Sequence, residues 1–420
     1  MDIQTPRGTK DILPTEIGAW QALELLLRKQ AQYFGFTEIR TPVFEHTDLF
    51  ARGIGEQTDV VGKEMYSFLD KGETSLTLRP EMTAGITRSV IEHTMLEQQG
   101  TVRLWAVGPA FRQDRPQKGR YRQFHQFDAE IFGSPYPESD ADIIAFAYSI
   151  LRAIGLTAFE VQINSLGNTA SREAYRVALV EHLMQYRDVL SHDSMTRLEK
   201  NPLRVLDSKD PSDAEAIRTA PLLTHYLDDE SSVYFTRVQA ILSALQIPYS
   251  INPRLVRGLD YYSHTAFEFV TTRLGTQNAI GGGGRYDGLF AQLTGTARPA
   301  VGFAFGIERL LLLLEEEQKS LVTTTATDVY IIALDDESRL LGAEIAYELR
   351  HHAISVVTDL QRRSFKAQMR DANKLQAHWA IIIGEQERTS GEFILKDMTQ
   401  GEQRTIVRSK IASIVSTHNA

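Results

Sequence analysis

The segment QFHQFDAE, residues 123 to 130, alternates in a way that only an extended strand makes sense of. Residues two apart on a strand share a face, so Arg122, Phe124, Gln126, Asp128 and Glu130 project to one side, and Tyr121, Gln123, His125, Phe127 and Ala129 to the other. The first set is too polar for a core and points to a solvent-filled or ligand-filled cavity. Just upstream, the window from Arg112 to Arg122 holds five positive side chains (Arg112, Arg115, Lys118, Arg120, Arg122) against one negative, Asp114. With TVRLWAVGPAFR before it and Pro116 and Gly119 as turn residues, the whole reads as a hairpin with a basic loop. The chain carries a formal net charge of -9, and such a local inversion suggests a site for a polyanion.

Composition narrows the possibilities further. A chain of 420 residues, 42% hydrophobic and 24% charged, is expected to form two or three ordinary globular domains. With no cysteine, disulfides, thiol nucleophiles and cysteine-ligated zinc are excluded. The acidic total argues against indiscriminate nucleic-acid binding. The first residues lack the apolar core of a signal peptide, and no apolar run approaches the roughly 20 residues of a membrane helix. A cytoplasmic protein with no membrane partner is the expectation.

Along the chain, Ile17, Trp20, Leu23 and Leu27 mark one face of a helix over residues 16 to 34. Pro42 favours an edge or interface strand around it. From about Asn168 to Pro248 the texture becomes helical and charged, with breaks at Asn201-Pro202 and Asp210-Pro211, which reads as an insertion. Strand-like sequence resumes at Leu255, and a strand ending near Phe305 should pass through Gly306 into a helix starting about Ile307. Residues 315 to 328 are polar, without apolar periodicity, and form the best linker candidate. Beyond them, apolar runs alternate with helical patterns, as in a small α/β domain with a largely parallel sheet. Its second helical pattern carries Arg362, Lys366, Arg370 and Lys374 four apart, a positive stripe or a solvated face.

Common nucleotide-binding loops and metal-ligand spacings are absent. Neither the glycine run Gly281 to Gly284 nor GFAFG fits a Rossmann or P-loop pattern, though four glycines between strand-like flanks let a ligand or another strand approach closely. His125 reads as a packed or hydrogen-bonded residue. What remains is a set of arginines and carboxylates at strand ends: Arg79, Glu81, Arg112, Glu130, Arg257, Glu308 and Arg309.

Six strings taken together resemble the histidyl-tRNA synthetase family of class II aminoacyl-tRNA synthetases, in that family's order. They are PRGTKDILP at 6 to 14, LRPEMTAG at 78 to 85, FRQDRPQKGRYRQFHQFDAEIFG at 111 to 133, LVRGLDYYSHTAFEF at 255 to 269, GGGGRYDGL at 281 to 289 and GFAFGIERL at 302 to 310. The resemblance runs from end to end. It implies an α+β catalytic domain over residues 1–325, an antiparallel sheet flanked by helices, with a helical insertion at 168–250, and a C-terminal α/β anticodon-binding domain over 326–420.

The activity so implied is ATP-dependent attachment of L-histidine to tRNA(His) through an adenylate, by a homodimer built around Pro42. Because the attacking carboxylate is already an anion, the protein needs no general base. It must position two anions and neutralise developing charge, a task suited to arginine. The resemblance places Arg112 and Arg257 at the α-phosphate, Arg309 and Glu308 at the nucleotide, and Mg2+ between phosphates. It places Glu81 and Thr83 at the α-ammonium, Gln126 close by, and Glu130, Tyr262 and Tyr261 around the imidazole. Gln117 and Arg120 would meet the tRNA acceptor end, and Arg370 the tRNA phosphates. Two alternatives stay open: a non-catalytic relative acting as a regulatory subunit of ATP phosphoribosyltransferase, and a synthetase for another amino acid. Intact Arg112, Arg257, Tyr261, Tyr262 and Arg309 with the extra domain weigh against the first, and RGLDYY with Glu130 against the second.

Overall fold

In the computed structural model, residues 3–54, 60–256, 261–274, 278–321 and 327–416 are described. The hairpin read from sequence is formed by β5 (Val102–Phe111) and β6 (Gln123–Phe132), antiparallel and in continuous register from Val102 opposite Phe132 to Phe111 opposite Gln123. It seeds an eight-stranded sheet together with β1 (Thr37–Glu38), β7 (Glu160–Ser165), β8 (Ser250–Ile251), β9 (Ser263–Val270), β10 (Ala279–Arg285) and β11 (Ala300–Gly306). The order is β1-β5-β6-β11-β10-β9-β7-β8, antiparallel through its six central strands, with a parallel strand at each edge.

Register separates the two faces. Phe127, Phe303, Phe305, Phe267 and Phe269 fill one side, under the helices Ile17–Tyr33 and Pro137–Ala153. Each such ring contributes on the order of 2 kcal/mol by leaving water. Trp20, Leu23, Leu27 and Ala31 bury that side of the first helix, whereas Ile17, expected on the same face, is exposed. Gly281 and Gly283 lie opposite Phe269, Phe305, Phe267 and Phe303 in the paired rows. Added β-carbons there would overlap the Phe305 ring and the backbone of β11. These two glycines are therefore a packing requirement.

A three-stranded sheet, in the order β2-β4-β3, precedes the hairpin, with β2 (Phe44–His46), β3 (Tyr66–Leu69) and β4 (Ser75–Leu78). Pro42 lies in neither β1 nor β2, so the single strand expected around it is two short ones, and the carbonyls of Thr41 and Pro42 accept instead from Arg79. Between β7 and β8, helix Thr169–Met184 begins where Asn168 accepts from the Ser171 amide, and the prolines at 202 and 211 open short 3-10 turns. The last helix of this segment, Asp229–Ala244, buries Phe235, Val238 and Leu242 in the main core and so belongs to the layer over the sheet.

The chain divides into two compact units, Met1–Val322 and Thr323–Ala420. The second unit has a five-stranded sheet of order β13-β12-β14-β15-β16, with β12 (Val329–Ala333), β13 (Val356–Thr358) and β14 (Trp379–Ile383) parallel. The hairpin of β15 (Glu392–Asp397) and β16 (Gln403–Val407) adds an antiparallel half. This corrects the largely parallel sheet expected from sequence. The basic stripe is also shorter than its spacing suggested: the helix is Phe365–Lys374, and Arg362 precedes it at φ 53°, beside Asp336 at 3.5 Å. Lys366, Arg370 and Lys374 remain on the helix, exposed.

Candidate active site

The other face of the eight-stranded sheet carries a cavity of about 460 Å³. Its floor follows from register. Asp128, Ala304, Gly282 and Glu268 share one row, and Glu130, Gly302, Gly284 and Ala266 the next. The central strands β10 and β11 supply only glycine and alanine to these rows, while β6 and β9 supply the acids, so a trough runs between functional walls. Gly302 is essential to it, because a β-carbon there would overlap the Glu130 carboxylate.

One end is acidic and phenolic. Glu81 accepts from the backbone amides of Thr83 (2.7 Å) and Ala84 (2.9 Å) at the start of helix Thr83–Glu92, an arrangement favoured by the helix dipole. The Thr83 hydroxyl donates to Glu130 at 2.7 Å, and the Tyr286 hydroxyl donates to its other oxygen at 2.5 Å. Burial pushes the Glu130 carboxyl up to about 8, aided by Glu81 and opposed by those two hydrogen bonds. Burial also raises Glu81, and it raises Asp128 well above the carboxylate range, with Glu130 and Glu81 adding repulsion. Tyr261 and Tyr262, buried with ring centroids 4.8 Å apart, close this end, and Tyr261 lies 5.4 Å from Tyr286.

The opposite end is basic. Arg112 donates through Nε to the Pro80 carbonyl at 2.8 Å and lies over the Phe124 ring at 5.4 Å. Arg120 pairs with Asp114, and Arg309, near the start of helix Ile307–Glu316, donates to the Ala279 carbonyl. Burial lowers the Arg309 guanidinium from its usual value, and Arg120 and Arg112 add like charge. An anion between these three would relieve that repulsion.

The structure thus gathers Glu81, Thr83, Arg112, Arg120, Gln126, Glu130, Tyr261, Tyr262, Glu308 and Arg309 around one cavity. Arg257 lies outside the described residues. Arg120, read as a contact for the tRNA end, is placed on the cavity wall, whereas Gln117 stays at the exposed loop tip, its backbone paired with Arg120. Glu308 accepts from the His125 amide and contacts its ring nitrogen at 2.9 Å, with His125 edge-on to Trp20. Alternation fails at the strand's start. Tyr121 lines the cavity, whereas the Arg122 amide donates to Gly8, because β6 begins only at Gln123. Sequence reasoning missed Tyr286 and Glu268, and it placed Asp128 on this face without singling it out. The signals were present, Tyr286 inside GGGGRYDGL and Asp128 in the alternating run.

Comparison with known proteins decides the family. The family model described as histidyl-tRNA synthetase matches residues 8–310, and that described as anticodon binding domain matches residues 328–418. The chain belongs to the histidyl-tRNA synthetase family. It is 48% identical over 409 residues to a histidine--tRNA ligase of Cyanothece sp., covering 97% of this chain and 95% of that one. It is 44% identical over 419 residues to the ligase of Bacillus cytotoxicus, covering 99% of each. Among solved structures, apo histidyl-tRNA synthetase of S. aureus matches with a TM-score of 0.84 and 39% identity over 99% of this chain and 100% of that one. Membership covers both units, so an α+β catalytic domain and an α/β anticodon-binding domain describe the chain. Among the described residues, no helix is long and apolar enough to cross a membrane.

Proposed function

We propose that this chain activates L-histidine with ATP and transfers it to tRNA(His). The observation that carries this reading is the order of groups along one cavity: arginines at one end, then Gln126 and Asp128, then Glu130 among phenols. Histidine laid along β6 meets matching chemistry, its carboxylate toward Arg112 and its imidazole at Glu130. A site that pairs both ring nitrogens rejects apolar competitors, which cannot make the hydrogen bonds that the imidazole would make in this buried pocket.

The carboxylate attacks the α-phosphorus of ATP, an acyl phosphate bond forms and pyrophosphate leaves. Arg112, with Arg257, bears the charge developing on the α-phosphoryl oxygens, and Arg309 holds the nucleotide phosphates. Each Glu81 oxygen accepts one backbone amide and keeps a lone pair for the α-ammonium. Glu308 acts through His125, joining β6 to the helix that carries Arg309. Among the described residues no three acidic or imidazole groups gather around a metal position. Mg2+ would enter on the ATP phosphates, whose oxygens would supply its ligands. Gln117 and Arg120 meet the acceptor end, and Lys366, Arg370 and Lys374 offer charge to tRNA phosphates. The chain acts as a cytoplasmic homodimer; Phe44, Phe68 and Leu69, exposed on the three-stranded sheet, support a covered surface there. Incubation with ATP, Mg2+, unfractionated tRNA and labelled amino acids tests the reading: histidine should be esterified, and a protein that charges no tRNA with histidine refutes it.

A further inference from the structure

Of the three carboxylates at the acidic end of the cavity, Glu81, Asp128 and Glu130, two have identified donors. Glu81 takes two backbone amides, and Glu130 takes Thr83 and Tyr286. Asp128 differs. It is 1% exposed and lines the cavity, and its Oδ2 is buried with no hydrogen-bond partner. The neighbouring Gln126 Oε1, also on the cavity wall, is likewise buried without a donor. Arg79, whose charge acts on Asp128, makes its hydrogen bonds elsewhere: it donates through Nε to Pro109 and through Nη1 to Thr41 and Pro42. A buried carboxylate oxygen without a donor costs free energy in the empty protein, and such an exception calls for a ligand that supplies the missing donor.

The position of Asp128 indicates which donor. Gln126, Asp128 and Glu130 follow one another on one face of β6, about 6.6 Å apart at Cα. Arg112 lies beyond Phe124 at the same end as Gln126. Histidine presents its carboxylate, ammonium and imidazole in this same order, so with the ends fixed at Arg112 and Glu130 the ammonium falls at the middle position. We propose that Asp128 is a binding residue for the substrate α-ammonium, its Oδ2 and the Gln126 Oε1 accepting two of the three ammonium protons. This rests on the reading of the cavity as a histidine site. It adds a residue to Glu81, whose oxygens are already partly occupied. The alternative, in which Asp128 only supports the fold, predicts that a neutral replacement destabilises the empty protein. The ligand role predicts the reverse, since Asp128 sits unpaired beside two other acids.

Calorimetric titration with L-histidine and with 3-(imidazol-4-yl)propionate, which lacks only the ammonium, tests this in the full chain. The wild-type protein should prefer histidine at least tenfold. Asp128→Asn should lose about tenfold to a hundredfold for histidine while binding the deaminated analogue within about twofold of wild type, with thermal stability unchanged or raised. Asp128→Ala, flanked in its row by Ala106 and Ala304, repeats the test if the asparagine variant does not accumulate folded. Variants that weaken both ligands equally, or keep the wild-type preference, overturn the assignment and leave the histidine reading standing. Failure of the wild-type protein to bind histidine overturns both.

Discussion

Raising the pH through 8 should weaken histidine binding, and Glu130 is the side chain responsible. Its carboxyl is moved from an ordinary 4.5 up to about 8, chiefly by burial. At about 1.36 kcal/mol per pH unit this amounts to on the order of 5 kcal/mol against ionising it in the empty cavity. Below pH 8 the protonated carboxyl and a neutral imidazole hold one proton between them. Above pH 8 that proton must come from solvent, so the dissociation constant should rise by as much as tenfold per pH unit. The stability of the empty protein carries the same signature. Between about 4.5 and 8 the folded state binds more protons at Glu130 than the unfolded state, so this group's contribution falls as pH rises through that window and is level above it. Histidine titrations from pH 7 to 9.5 in buffers of different ionisation heat should show uptake approaching one proton above pH 8. Glu130→Gln should abolish that uptake and weaken binding by about tenfold to a hundredfold at pH 7. A dissociation constant independent of pH from 7 to 9, or identical proton uptake by the glutamine variant, would refute the reasoning.

Other perturbations separate the parts of the site. Gly302→Ala drives a β-carbon into the Glu130 carboxylate and should raise KM for histidine more than tenfold in pyrophosphate exchange with KM for ATP nearly unchanged; parallel changes in both would contradict the role of that glycine. Arg112→Ala should lower kcat for adenylate formation by on the order of a hundredfold or more, and a folded variant with near-normal kcat would remove Arg112 from the transition state. Arg370→Glu should weaken tRNA charging, most at low salt, while leaving adenylate formation intact. Unchanged charging across salt concentrations would assign that helix face to solvent.

How much of this was legible in the sequence depends on which physical constraint acts at each residue. Gln126, Asp128 and Glu130 could be placed together because a strand's period of two holds wherever pairing is continuous, as it is from Val102 to Phe132. The same rule misplaced Tyr121 and Arg122, which precede the paired segment and are held by the loop. Local spacing likewise overextended the basic stripe: Arg362 has the right interval, but the helix starts after it, at Phe365. The last hairpin was missed because β16 is exposed at four of its five positions and so shows little apolar alternation. Tyr286 was hidden for another reason. Its contact with Glu130 spans 156 residues of sequence and depends on β10 lying two strands from β6, a pairing that no local pattern specifies.

The central claim is that this cavity activates histidine and no other amino acid. Pyrophosphate exchange into ATP, run with each of the twenty amino acids in turn, tests it most directly. The account predicts exchange with histidine alone. Exchange that is absent with histidine, or stronger with another amino acid, would contradict it.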